Sequence, residues 1–148
     1  MKRILAMPKI MAQARAEEIV AKGIPIISIL DHKEPAIFNE GKTLTLWFGD
    51  LAPRTSHVHY PWSPAMTLGQ AWDIIKFVDA HKESPIMFVH CSAGISRSGA
   101  VATFITEMHK LDNDQFMKDN PQILPNNWVF NMLYYALGTI PNSLEVKD

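Results

Sequence analysis

The stretch Val89-His90-Cys91-Ser92-Ala93-Gly94-Ile95-Ser96-Arg97-Ser98-Gly99 contains the one cysteine of the chain, with an arginine six residues after it and a serine seven after it. A thiol and a guanidinium at this spacing can handle a tetrahedral dianion if the chain between them loops from a strand into a helix. Backbone N–H groups of such a loop can all point inward, and the helix adds unsatisfied donors and the positive end of its dipole. Gly94 permits the backbone conformation that closes the loop. Arg97 offers a planar fork that binds two anionic oxygens at once. Cys91 stands at the entrance, where a field that binds phosphate also stabilises a thiolate, and a thiolate under a bound phosphoryl group is a ready nucleophile. Ser98 can donate its hydroxyl to the sulfur and help it depart from a phosphocysteine. A lone cysteine is more often an inert buried residue. Yet histidine before, glycine three after, arginine six after and a hydroxyl seven after coincide around one cysteine by chance only roughly once in 10⁵.

The elements around this stretch must supply a strand before it and a helix after it. Pro85 to Val89 is all apolar and reads as a short strand, extended to His90, where a seven-residue loop begins. A helix starting near Ser96 to Ser98 runs through Gly99, Ala100, Val101, Ala102, Phe104 and Ile105 to Met108, with almost no polar face, as a buried central helix. Upstream, Arg3 to Met11 suits an opening strand, placed at a sheet edge by Pro8. Ala12 to Ala21 favours helix and is stopped by Gly23 and Pro25. The β-branched run Ile26 to Leu30 fits a strand buried on both faces, and Thr43 to Phe48 another strand. Thr67-Leu68-Gly69-Gln70 fits a capping box, opening a helix with a stripe of Leu68, Ala71, Trp72, Ile75 and Val78. Asp112 to Asp119 reads as a short helix, and Asn126 to Leu137 as a longer one stopped by Gly138. Between Gly49 and Pro64 lies a proline-rich loop of about fifteen residues, a length that is often functional. This alternation describes an α/β fold in a single domain over 1–148, with a largely parallel central sheet flanked by helices.

Composition narrows the function classes. The 148 residues are 47% hydrophobic and 20% charged, with 14 Lys+Arg against 15 Asp+Glu, an ordinary globular balance. Without a basic excess, neither nucleic acid nor an anionic membrane is an expected partner. A single cysteine allows no internal disulfide and no cysteine-built zinc site, so a reducing, cytoplasmic compartment is the simplest expectation. Met1 to Ala14 faintly imitates a signal peptide, but Pro8 and Lys9 interrupt its apolar stretch. Runs such as Ile86-Met87-Phe88-Val89 are too short to span a membrane.

The stretch Val89 to Gly99 resembles the phosphate-binding loop of the protein tyrosine phosphatase superfamily, in particular its small dual-specificity-like cysteine phosphatases. The resemblance extends over Ile24 to Gly138, with its specificity concentrated in the loop. It implies that Cys91 is the nucleophile and Arg97 the phosphate clamp. Backbone amides of Ser92, Ala93, Gly94, Ile95, Ser96 and Arg97 would bind the phosphoryl oxygens, Ser98 would assist the second step, and His90 would hold the loop and tune the cysteine. No metal or cofactor is implied. The 148 residues suffice for a catalytic domain and nothing else, so targeting is expected from elsewhere.

Such enzymes also use a general acid upstream of the cysteine, because protonating a basic leaving group lowers the barrier. Asp50 is the first choice. It follows the Thr43 to Phe48 strand, which would run parallel to the Ile86 strand, so both loops would leave at one sheet edge. Gly49-Asp50-Leu51 stands where the larger tyrosine-specific enzymes carry Trp-Pro-Asp. Asp31, at the end of the Ile26 to Leu30 strand, is the rival. Asp73 and Asp79 belong to a helix surface. His57 and His59 could meet substrate or supply a proton, Arg54 could bind a second anionic group, and Trp47 and Trp62 could line the pocket mouth. Loop histidines are usually just exposed, Arg54 could equally be solvated, and aromatic residues beside a strand are more often packing.

The expected activity is hydrolysis of phosphotyrosine, with phosphoserine and phosphothreonine as further candidates, on a phosphorylated protein or a small phosphomonoester. Ala93 and Ile95 occupy positions where phosphoinositide-directed relatives tend to carry lysine. An enzyme on an RNA 5'-phosphate or a phospholipid, and a phosphate-binding module without turnover, are the alternatives. An arsenate reductase of this kind would need further cysteines. The sequence leaves the oligomeric state open.

Overall fold

Four strands pair into one all-parallel sheet in the order β1-β4-β2-β3. A computed structural model describes residues 1–51 and 64–138. In chain order they form β1 (Arg3–Pro8), α1 (Lys9–Ala14), α2 (Ala16–Ala21), β2 (Ile26–Leu30), β3 (Thr43–Trp47), α3 (Leu68–Ala80), β4 (Ile86–Cys91), α4 (Arg97–Met108), α5 (Asn113–Asp119) and α6 (Asn127–Gly138). The expected α/β architecture with a parallel sheet is present.

The central strands β2 and β4 are buried almost throughout because apolar residues cover both of their faces. Ile27, Ile29, Met87 and Val89 pack with α3, α4 and α6 in the larger core. Ile26 and Phe88 pack on the other face with Ala12 of α1 and Ile19 of α2 in the smaller one. Side chains alternate between the two cores with the period of two that extended chain imposes. α4 is the buried central helix, with Ala100, Val101, Ala102, Phe104 and Ile105 all removed from solvent. The α3 capping box forms as expected: Thr67 Oγ1 accepts from the Gln70 amide, and Gln70 Oε1 accepts from the Thr67 amide. Ile74 joins the anticipated stripe of α3 in the core. Asp73 and Asp79 are exposed, as expected, and each pairs with a lysine three residues on. No helix among the described residues is long and apolar enough to cross a membrane.

Three boundaries differ from the sequence expectation. The opening strand ends at Pro8 instead of Met11, and helix begins at Lys9, three residues before Ala12. Pro8 has no N–H to continue the ladder, and its φ of −74° suits the residue preceding a helix. The helix expected over Ala12 to Ala21 is two helices, broken at Arg15 (φ −105°, ψ 7°). The guanidinium of Arg15 lies 5.1 Å from the Phe88 ring centre, a cation–π contact over the smaller core. Lastly, β4 continues through Cys91 and α4 begins at Arg97, so the connecting loop is residues 92–96 and shorter than expected.

Candidate active site

Because all four strands are parallel, their carboxyl ends share one edge, where ligands bind in open α/β sheets. That edge brings together Pro8 and Lys9 after β1, Asp31 after β2, Phe48 and Asp50 after β3, and Ser92 after β4. Gly49 donates its amide to Pro64 O at 2.7 Å and closes the base of the proline-rich loop. His57, His59, Arg54 and Trp62 lie outside the described residues.

The loop 92–96 is held by its carbonyls. Ser92 O accepts from the Lys9 amide at 3.2 Å, and Gly94 O from Gln122 Nε2 at 3.0 Å. Ile95 O and Ser96 O accept from the amides of Leu124 and Asn126, each at 3.0 Å. Among the described residues none of the backbone N–H groups of 92–97 donates a hydrogen bond. A run of unpaired donors ending at a helix N-terminus is an anion cradle. Gly94 has φ +72°, and a methyl group there would lie 2.5 Å from Met7 C and Pro8 N. The loop therefore rests against the end of β1, and only glycine fits.

Cys91 is 2% exposed, with Sγ 3.1 Å from Ser98 Oγ. Arg97 is buried, and its donors are divided. Nη1 donates to Asp31 Oδ1 at 2.7 Å and to Phe48 O at 2.8 Å, and Nη2 donates to Ser92 Oγ at 3.0 Å. Nε has no partner. Of the five guanidinium hydrogens, the one on Nε and one of the two on Nη2 are left to donate to anionic oxygens.

His90 is fully buried and lies opposite Ser28 in the register of β4 against β2, with Nε2 2.5 Å from Ser28 Oγ. Its Nδ1 is 3.4 Å from Cys91 O. A carbonyl only accepts, so Nδ1 carries the hydrogen and Nε2 accepts from the Ser28 hydroxyl. Burial drives its pKa down to about 4, despite the Cys91 carbonyl and Glu34, which pull the other way. The imidazole is neutral near pH 7.

The two candidate acids sit differently. Asp31 gives Oδ1 to Arg97 and Oδ2 to the Ser92 hydroxyl at 3.0 Å. Burial alone would raise its pKa, but the hydrogen bond and charge of Arg97, with Ser92 and Lys9, hold it below the ordinary value. This is the setting of an ion-pair partner, and it argues against Asp31 as a proton donor. Glu34 braces it from behind, accepting from the Asp31 amide and pairing with Lys9. Trp47 donates Nε1 to Glu34 O, so it secures this corner while remaining partly exposed. Asp50 Oδ1 accepts from Ser96 Oγ at 2.8 Å and from Asn126 Nδ2 at 2.7 Å, at the rim of the loop. Sequence reasoning placed Asn126 only as a helix start and gave Gln122, Ser28 and Glu34 no role. An asparagine at the start of a helix is a common cap, and that is the one local signal that could have pointed to any of them.

The segment 49–125, 77 residues and more than half of the chain, matches the family model for protein-tyrosine phosphatase. No curated protein matches the sequence. The crystal structure of Tk-PTP in the active form superposes with a TM-score of 0.57 at 15% identity, covering 95% of this chain and 94% of that one. Human tyrosine phosphatase-like serine/threonine/tyrosine-interacting protein gives 0.54 at 19% identity, with 91% and 88% covered. PTPMT1 in complex with PI(5)P gives 0.51 at 14% identity, with 88% and 86% covered. At these identities the structural likeness speaks for the fold, and the family match over 49–125 speaks for the sequence. The chain belongs to the protein-tyrosine phosphatase family of phosphoric monoester hydrolases.

Proposed function

We propose that this protein hydrolyses phosphotyrosine, with phosphoserine and phosphothreonine as secondary substrates, through a phosphocysteine intermediate. The observation that supports this most directly is the cradle: among the described residues the N–H groups of 92–97 are unpaired around a buried thiol, while the carbonyls of Ser92, Gly94, Ile95 and Ser96 are engaged elsewhere. Three phosphoryl oxygens are held by these amides and by Nε and Nη2 of Arg97. The sulfur of Cys91 bonds to phosphorus as the phosphorus–oxygen bond to the alcohol or phenol breaks, and the Asp50 carboxyl gives its proton to the departing oxygen. In the second step the Asp50 carboxylate takes a proton from water, whose oxygen bonds to phosphorus. The sulfur leaves with the Ser98 hydroxyl donating to it, and inorganic phosphate is released.

A phospholipid substrate is the second reading, favoured by the fold shared with PTPMT1, whose structure contains PI(5)P. Ala93 and Ile95 place no cation in the loop for further phosphates, which weighs toward the monoester. Hydrolysis of an aryl phosphate by wild type, Cys91→Ser and Asp50→Asn tests the chemistry. Cys91→Ser is expected to lose turnover while retaining phosphate binding, and Asp50→Asn to lose roughly 10²- to 10⁴-fold in rate. Full activity in Cys91→Ser would overturn the mechanism. A panel of phosphopeptides and phosphoinositides separates the two substrate classes.

A further inference from the structure

Asn126 caps α6: its Oδ1 accepts from the Val129 amide at 3.0 Å. That bond settles which end of the amide is which, because a backbone N–H needs an acceptor. Nδ2 therefore faces the other way, toward Asp50 Oδ1 at 2.7 Å and Leu51 O at 3.3 Å, and both of its hydrogens are used. The backbone of the same residue holds the phosphate loop through Ser96 O at 3.0 Å. Ser96 adds a second anomaly. It occupies the N-cap position of α4, where a serine hydroxyl ordinarily accepts from its own helix, yet it makes no cap bond. Its hydroxyl is given to Asp50 Oδ1 at 2.8 Å instead. A helix cap has been given up to hold a carboxylate.

The two donors fill both lone pairs of one carboxylate oxygen. We propose that Asn126 and Ser96 are positioning residues that occupy Oδ1 of Asp50 and leave Oδ2 as the atom that carries the transferable proton. This rests on the assignment of Asp50 as the acid, and it goes further by naming which oxygen acts and which residues select it. With Oδ1 saturated, a proton on the carboxyl resides on Oδ2. Because both donors belong to, or are bonded to, the phosphate loop, that oxygen is held in register with the bound phosphoryl group.

The test is a leaving-group comparison. Phenyl phosphate needs its phenolate protonated, whereas the dinitrophenolate of 2,4-dinitrophenyl phosphate departs without a proton. Asn126→Ser keeps a capping hydroxyl for α6 but is too short to reach Asp50. Expected is a loss of about 10- to 100-fold in kcat on phenyl phosphate, less than about threefold on the dinitrophenyl ester, and unchanged vanadate affinity. Ser96→Ala is expected to shift the same ratio in the same direction by a smaller factor. An equal loss on both esters, or no loss on either, while Asp50→Asn remains sensitive to the leaving group, overturns the positioning role and leaves the acid assignment standing. A wild type that turns over neither ester, or an Asp50→Asn protein indifferent to the leaving group, overturns the parent reading instead.

Discussion

Ser28 and His90 face each other across β2 and β4 in the interior of the sheet, and the burial of the histidine there governs how it behaves toward pH. The folded protein holds His90 near a pKa of about 4, while the unfolded chain returns it to its ordinary value near 6.5. Above the unfolded value neither state binds a proton there, and the stability is fully present. As pH falls through this window the unfolded chain takes up a proton that the folded one refuses, so stability drops. The size of the effect is on the order of 3 kcal/mol. His81 and His109, also lowered by burial, act with the same sign. Urea midpoints between pH 7.5 and 4.5 should therefore fall for wild type and fall less steeply for His90→Asn. An identical slope in the two proteins would show that His90 does not titrate differently on unfolding.

At the scale of the elements, the phosphate loop is as much a product of β1 as of β4. Gly94→Ala places a methyl group 2.5 Å from the Met7–Pro8 backbone at a positive φ. The Lys9 to Ser92 bond ties the strand end to the loop, which opposes a shift of one away from the other. The expected cost is about 3 kcal/mol or more, with weaker vanadate binding, measured by urea unfolding and by titration. This dependence also explains what could be read in advance. β2 was legible because a β-branched run covers both of its faces, α3 because Thr67 and Gln70 spell a capping box, and Cys91 and Arg97 because their spacing carries chemistry by itself. The end of β1 was not, since Arg3 to Met11 stays apolar past the point where Pro8 stops the ladder. Asn126, Gln122 and Ser28 were hidden for a different reason. Their partners are set by strand register and by a distant stretch of chain, which local pattern does not encode. The contact of Asp31 with Arg97 was not legible either, because a carboxylate beside a strand end looks the same in sequence whether it donates a proton or anchors an arginine.

Over the whole molecule, one stretch of chain between α5 and α6 closes the structure. Asn120, fully buried, completes the open edge of β1: its Oδ1 accepts from the Ala6 amide at 2.7 Å, and its Nδ2 donates to Ile4 O at 2.9 Å. An edge strand left bare is a template for association, and here a side chain stands in for the missing neighbour. Asn120→Ala leaves the Ala6 amide and the Ile4 carbonyl without these partners. It is expected to lower stability by about 2 to 4 kcal/mol, read from the urea midpoint, and to increase light scattering at raised concentration. Beyond Asn120 the same stretch runs behind the phosphate loop, contacting it through Gln122, Leu124 and Asn126 in turn. This has a consequence for the order of events at the ribosome. The thiol at position 91 is synthesised well before the chain that braces its loop, and β1, made first, finds its partner β4 only after most of the sheet exists. The loop around Cys91 thus gains its backing from Gln122, Leu124 and Asn126 only once the last third of the protein is being made, so the site is among the last parts of the fold to be completed.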